Sequence, residues 1–303
     1  MTTLSERLSA FGYLTAWRLA GWMPRSFGSA VFSLGADLAV RRDGGGVRQL
    51  RRNLQRVVPQ ADGKELDELT RRAMRSYARY WFETFRMPST DQAEIRGKVI
   101  ATGAENIDAA LAEGNGAVIA LPHTGNWDAA GVWLAGHTGG FTTVVERLKP
   151  ESLYRRFVAY RESLGFEIVP LTGDSSSMRV LLSRLRENKV VCLVGDRDLS
   201  GSGVPVKFFG EQARLPMGPA RLAATTGAAL IPAGCWFTED GWEVRMHPRI
   251  RVTNRAEVPA ATQALADIFA ADIAAHPADW HMLQKFWPAD LEAAEQLSAS
   301  EAS

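Results

Sequence analysis

Long apolar runs are missing from this 303-residue chain, and so is a surplus of charge of either sign. No uninterrupted apolar stretch approaches the roughly 18 to 20 residues that cross a bilayer, so no membrane-spanning helix is predicted. The opening MTTLSERLSAFGYL has no basic start, no long apolar centre and no small-residue cleavage site, which predicts no secretion signal. Cysteine is scarce. Cys192 and Cys235 sit inside the apolar runs VVCLV and LIPAGCW, reading as buried apolar residues of a reducing compartment rather than as a disulfide, and no CxxC or Cys/His spacing suggests a metal site. A net charge of +1 lacks the basic field of a nucleic-acid binder, so no nucleic-acid partner is expected. A GxSxG nucleophile elbow is also missing, since GDSSS at Gly173 breaks the pattern at its last position.

What charge there is lies unevenly. Residues 1 to 60 hold nine arginines (7, 18, 25, 41, 42, 48, 51, 52 and 56) against Glu6, Asp37 and Asp43. The same region carries Leu4, Leu8, Phe11, Leu14, Trp17, Trp22, Met23, Phe27, Val31, Phe32 and Leu34, divided by Pro24 into two helical pieces. Large apolar side chains beside arginines suit an interfacial helix on an anionic membrane, and they equally suit cover helices with a solvated basic edge. The pattern leaves both open.

From Asp62 a long helical segment runs to Met87-Pro88, and thereafter β-rich runs alternate with helices. GAVIALP precedes a helix from Trp127; FTTVVE a helix over Ser152 to Leu164; FEIVPL a helix over Ser176 to Asn188; and VVCLVGD a polar loop. The helix GPARLAATTG leads into AALIPAGCWF, GWEVRMHPRIRV follows as an antiparallel addition at one edge, and a helix covers Val258 to Ala275. Continuous β-branched strands separated by helices predict an α/β fold, a mostly parallel twisted sheet flanked by helices on both faces, with an N-terminal amphipathic helical element. No repeat or long linker interrupts it, so one domain over 1–303 is expected: helices at 1–60, an α/β core at 95–290 and a flexible acidic tail at 291–303.

Ligands of such sheets bind beyond the carboxyl ends of the strands. That rule selects Pro122 to Asp128, Glu146-Arg147, Pro170 to Asp174 and Asp196 to Ser202. The first, in ALPHTGNWD, places an aspartate five residues after a histidine. Five residues on a helix turn through about 500°, leaving two side chains about 140° apart, so the pair cannot act from within one helix. It works if His123 sits on the loop leaving the strand and Asp128 in the first helical turn, with Gly125 allowing a tight backbone and Asn126 as N-cap. Asp128 would then orient His123 and leave its other ring nitrogen as a general base. The plainer reading is a strand-end histidine and a helix-capping aspartate. With no protein nucleophile in the pattern, the base would act on a hydroxyl or a water.

Several ordered blocks carry more than HxxxxD alone: GAENIDAALAEGNGAVIALPHTGNWD, YRESLGFEIVP, VVCLVGDRDLSGSGVPVKFFGEQARLPMGPARLAATTGAALIPA and HPADWHMLQKFW. Over residues 95 to 290 the chain resembles the HxxxxD acyltransferases, in particular the bacterial lauroyl and myristoyl acyltransferases of lipid A synthesis. VVERLKPESLYRRFVAYRESLG and GDRDLS are similar to the actinobacterial branch that acylates phosphatidylinositol mannosides. The resemblance implies transfer of a long-chain acyl group, typically palmitoyl, from acyl-CoA to a mannose hydroxyl of a mannosylated phosphatidylinositol. It places the enzyme peripherally at the cytoplasmic face of the membrane, with no cofactor. His123 would deprotonate the acceptor hydroxyl, and Asp128 would orient and polarise His123.

Within that resemblance, Glu146, Arg161, Asp196, Arg197 and Asp198 become candidate substrate-binding residues. An acid of the Asp196 loop could extend the His-Asp relay or hold mannose hydroxyls, and Arg197 could hold a phosphate; each could also be an ordinary ion pair. Backbone N–H groups near Gly125 to Trp127, or the Asp196 loop, are candidate oxyanion donors. Trp127, Trp133, Phe208 and Phe209 are candidate linings of an acyl tunnel, and His281 could pack or touch substrate. Another acceptor (lipid A-type or lysophospholipid), a thioesterase or lipid hydrolase, and a non-catalytic lipid carrier are the alternatives.

Overall fold

The computed structural model describes residues 15, 17, 19–147, 150–171, 176–198 and 201–291. Expectations for residues 1–14, Arg18, Asp174 and the acidic tail beyond 291 lie outside the described residues. Pro24 divides helical backbone at 19–22 from helix α1 (Arg25–Arg42). Next come α2 (Gly45–Val57) and α3 (Gly63–Arg86). The start of α3 is written in the sequence: the Asp62 side chain accepts from the N–H groups of Lys64 and Glu65, and Glu65 accepts from the Asp62 N–H in return. Leu50, Leu54, Leu66 and Leu69 close a small core among these three helices.

The sheet follows. After α4 (Gln92–Gly97), the chain forms β1 (Val99–Thr102), α5 (Glu105–Ala112), β2 (Ala117–Leu121), α6 (Trp127–Thr138), β3 (Phe141–Glu146), α7 (Glu151–Ser163), β4 (Phe166–Leu171), α8 (Ser176–Arg186) and β5 (Val190–Val194). Then come β6 (Val204–Phe208), β7 (Glu211–Leu215), α9 (Gly218–Thr226), β8 (Ala229–Phe237), β9 (Trp242–Met246) and α10 (Val258–Ala275). Seven strands join in the order β1-β9-β8-β2-β5-β3-β4. Neighbouring strands are parallel except β8 and β9, which makes the sheet mostly parallel, as its β-branched runs predict. All five residues of β2 are buried, because helices cover both faces. Ile119, Leu121 and Phe141 belong to a core shared with Ala130 and Leu134 of α6 and Phe157 of α7, whereas Val118, Ala120 and Val191 belong to one shared with α8, α9 and α10.

Two expectations are corrected. The segment beginning GWEVRM is antiparallel to β8 as expected, but it is not the sheet's edge: β1, unforeseen at VIAT, pairs with β9 in parallel from Val99↔Trp242 to Thr102↔Arg245. The polar loop after β5 contains the hairpin β6–β7. Its cue is alternation: Val204, Val206 and Phe208 are buried and Pro205 and Lys207 exposed, and Phe209 and Gly210 turn the chain with positive φ at both positions.

Replacing Asp62 by Ala removes the two bonds its side chain accepts from Lys64 and Glu65 and leaves only the main-chain N–H bond to Glu65 at the α3 cap. The expected result is a loss of about 1 kcal/mol in stability, checked by urea unfolding, with no change in the denaturant slope.

Candidate active site

His123 and Asp196 meet because β2 and β5 are neighbours in register. Leu121 lies opposite Val194, and His123 and Asp196 each stand two residues beyond those partners, where Gly195 N–H still donates to the Leu121 carbonyl at 2.8 Å. Asp196 Oδ1 lies 2.5 Å from His123 Nδ1, and Asp196 Oδ2 accepts from the His123 main-chain N–H at 3.0 Å and from the Trp280 indole N–H at 3.2 Å. The Asp196 carboxylate is fully buried, while the His123 side chain remains 23% exposed. Burial opposes the charge on Asp196, but the His123 ring, the His123 N–H and the Trp280 N–H hold its pKa below the ordinary carboxylate value. With Nδ1 held by a carboxylate, His123 Nε2 is the nitrogen left to exchange a proton.

Asp128 therefore does not make the expected bond to His123. As predicted, it occupies the first turn of α6, and Asn126 caps that helix by accepting from Ala129 N–H. The helix, however, turns Asp128 toward α7 and α3. Arg161 Nε and Nη2 donate to its two oxygens at 2.8 and 3.2 Å, and the Tyr80 hydroxyl lies 3.4 Å away. Asp128 and Arg161 are a buried pair. Burial opposes the Arg161 charge, yet Asp128 keeps its pKa above the ordinary guanidinium value.

Gly125 holds the loop between them. Its φ is +54, and a Cβ there would come within 2.7 Å of the Cys235 carbonyl. Its N–H donates to the Asp279 carbonyl, which removes it from the candidate oxyanion donors.

One cavity of about 990 Å³ opens at these groups and collects residues from all four predicted strand exits. His123, Asp128, Glu146, Leu171, Arg197 and Asp198 line it, with Arg161, Trp127 and Trp133. Asp196 stands behind His123. Asp198 accepts from the Gly203 N–H at 2.6 Å, so of the two loop acids it is Asp196 that meets the histidine. Phe208 and Phe209 are not lining residues: Phe208 packs with Trp280, Phe286 and Trp287 in the core beneath α10, and Phe209 turns the hairpin. Cys192 does line the cavity, but burial pushes its thiol to about 12, leaving almost no thiolate near neutral pH.

His281 is a functional candidate that its pattern alone left undecided. Thr124 and Trp280 form a β-bridge, and His281 N–H donates to the His123 carbonyl at 2.9 Å, which ties the DWHML segment to the histidine loop. The Ser76 hydroxyl donates to Asp279 Oδ1 at 2.6 Å, so at 3.0 Å it can only accept from His281 Nε2–H. That leaves the buried Nδ1 as an acceptor with no partner among the described residues, on a ring that lines the cavity. Burial, helped by His123, pushes the His281 pKa down to about 3, so the ring is neutral.

The chain is similar to known proteins over nearly its whole length. Residues 3–288 match the bacterial lipid A biosynthesis acyltransferase family. The chain is 53% identical over 289 residues to the phosphatidylinositol mannoside acyltransferase of Mycolicibacterium smegmatis, covering 95% of this chain and 94% of that protein. It is 48% identical over 293 residues to the protein of the same name from Mycobacterium tuberculosis, covering 96% and 92%.

The His281 ring has a direct consequence for stability. Unfolded, it binds a proton below its ordinary value near 6.5; folded, it stays neutral down to about 3. The unfolded state therefore gains protons first, and this contribution is complete above pH 6.5 and is lost as pH falls toward 3. Between pH 7 and pH 5 the expected loss is about 2 kcal/mol, measured by denaturant titration, and His281→Gln reduces it.

Proposed function

The chain belongs to the bacterial lipid A biosynthesis acyltransferase family, and from that premise we propose that it moves a palmitoyl or similar acyl group from acyl-CoA to a mannose hydroxyl of a phosphatidylinositol mannoside. The acceptor follows from the names of the two relatives, each matched over more than nine-tenths of its length. The observation that carries the chemistry is His123, pinned by a buried carboxylate and lining a cavity whose cysteine, Cys192, is held as the protonated thiol.

In this reading His123 Nε2 takes the acceptor's hydroxyl proton while that oxygen attacks the thioester carbonyl. The C–S bond then breaks, and the imidazolium returns the proton to the departing thiolate, giving the ester and free CoA. Asp196 fixes the tautomer and stabilises the imidazolium. Asp128 and Arg161 position the first turn of α6, and the unpartnered His281 Nδ1 accepts from an acceptor hydroxyl. Glu146 and Arg197, at the rim of the cavity, contact sugar and phosphate.

The enzyme works peripherally at the cytoplasmic face of the inner membrane, on an anionic lipid surface. No helix among the described residues is long and apolar enough to cross a membrane. Instead α1 is apolar on two sides. Phe32 packs on Phe82 and Phe85 of α3, while Phe27, Val31, Leu34 and Leu38, at helical spacing, are exposed, as is Trp22 at 91%. Exposed Arg25, Arg41 and Arg42 flank this face. Much of the basic stretch beyond them is neutralised internally: Arg48 pairs with Asp43, Arg51 with Asp67, and Arg56 with Asp290 and Glu211. Apolar side chains between exposed arginines match the boundary between headgroups and acyl chains.

The two acids of the site separate by experiment. Asp196→Asn lowers kcat by roughly two to three orders of magnitude with the fold kept, whereas Asp128→Asn leaves Arg161 buried without its carboxylate and costs about 3 to 5 kcal/mol of stability. An unchanged rate of transfer of labelled palmitoyl to phosphatidylinositol mannosides by Asp196→Asn or His123→Ala sinks the mechanism. Because α1 also packs on α3, its removal would unfold the helical layer, so the membrane reading is tested by substitution of its exposed side chains. Trp22→Ser, Phe27→Ser and Leu34→Ser combined reduce flotation with anionic vesicles at least about tenfold; equal flotation refutes it.

A further inference from the structure

The sheet opens between β3 and β5. On its outer side β3 is paired with β4 over its whole length, from Phe141↔Phe166 to Glu146↔Leu171, and β5 is paired with β2 from Ala117↔Val190 to Leu121↔Val194. Between β3 and β5 themselves the register holds a single pair, Thr142↔Val191. Toward the carboxyl ends the two strands keep their outer partners and part from each other.

The cavity enters that parting. Alternate residues of a strand face opposite sides of a sheet, so a cavity confined to one face touches every second residue. This one touches four consecutive residues of β3, Thr143 to Glu146, and three consecutive residues of β5, Cys192 to Val194. The flanking walls agree: Phe141 and Leu134 belong to the core under α6 and α7, and Leu181 and Leu222 to the core under α8 and α9, yet all four line the same space. The cavity thus passes through the sheet, and the inward edges of two strands form its sides.

Such edges turn the main-chain N–H and C=O groups of alternate residues inward, where no ladder pair beyond Thr142↔Val191 forms among the described residues, and buried backbone groups require partners. A hydrocarbon offers none. An extended chain bearing amides offers both donors and acceptors at strand-like spacing and completes the edges as an added strand does. We propose that the slot between β3 and β5 binds the amide-bearing pantetheine arm of the acyl donor, through the inward-turned main-chain groups of alternate residues in Thr143–Glu146 and Cys192–Val194. The acyl chain then lies in the apolar space under α6, and the donor's phosphates lie toward Arg197, which follows β5 directly. This rests on acyl-CoA being the donor.

The test measures binding to the full-length wild-type protein by calorimetry, using thioethers that cannot transfer. S-hexadecyl-CoA, S-hexadecyl-pantetheine and an analogue with both pantetheine amides replaced by methylenes are compared. Loss of the two amides weakens binding by about tenfold or more relative to S-hexadecyl-pantetheine, and Cys192→Phe, which fills the slot, removes that difference. Equal binding of the amide-bearing and amide-free thioethers overturns the slot while the donor reading stands; no binding of any of the three overturns the donor reading and the slot with it. Because Cys192→Phe can fail to fold, a diazirine on the pantetheine arm is crosslinked to the wild type as well. Label in residues 143–146 or 192–194 supports the proposal, and label confined to other segments overturns it.

Discussion

Everything at this site depends on the hydrogen bond between Asp196 and His123, which is a consequence of strand register. Two parallel strands aligned at Leu121 and Val194 deliver the residues two places further on to one point, and there a buried carboxylate meets the His123 imidazole while also accepting from the His123 main-chain N–H and the Trp280 indole. Burial of a carboxylate is costly unless its oxygens are satisfied; here each is. The second anchor comes from the opposite end of the chain, since the bridge of Thr124 with Trp280 and the bond from His281 N–H to the His123 carbonyl lock the histidine loop from its other side.

The two aspartates that flank His123 in space and in sequence have divided the work. Asp128 is spent on Arg161, and the pair fastens α6 to α7 beside Tyr80. A second buried acid, Glu83, does the same between α3, the loop and β9: it accepts from Asn126 and Trp242 and pairs with Arg79. The helix N-terminus is thus held by side chains of both α7 and α3, which is what a short Gly-containing turn needs if its neighbour is to keep one geometry.

The same sheet that positions the pair also makes room beside it. The strands that end at His123 and Asp196 remain tightly paired, while the next interval, between β5 and β3, opens. Rigid geometry at His123 and open space one strand away come from one change in pairing. On the outside, α1 repeats that economy, with Phe32 turned to α3 and Phe27, Val31 and Leu34 turned outward.

Much of this was legible in the residues. Periodicity alone marks β2, β3, β4, β5 and β8, the capping box at Asp62 and the N-cap at Asn126, because these depend on neighbours in sequence. The rule that sites lie at strand carboxyl ends picked out four exits that line one cavity, for the same reason. It misassigned the partner of His123, since Asp128 is five residues away in the chain and Asp196 is 73, and nothing local states that β5 lies beside β2. Phe208 looked like a tunnel wall and is core, and β1 passed unseen, because a four-residue strand at an edge has almost no pattern to read. By itself the sequence determined which segments are strands and helices and which chemistry-bearing residues leave the strands, since both follow from local periodicity and turn chemistry. Only the tertiary structure decided which acid serves the histidine and where the cavity runs, because strand order and register are set by packing between segments far apart in the chain.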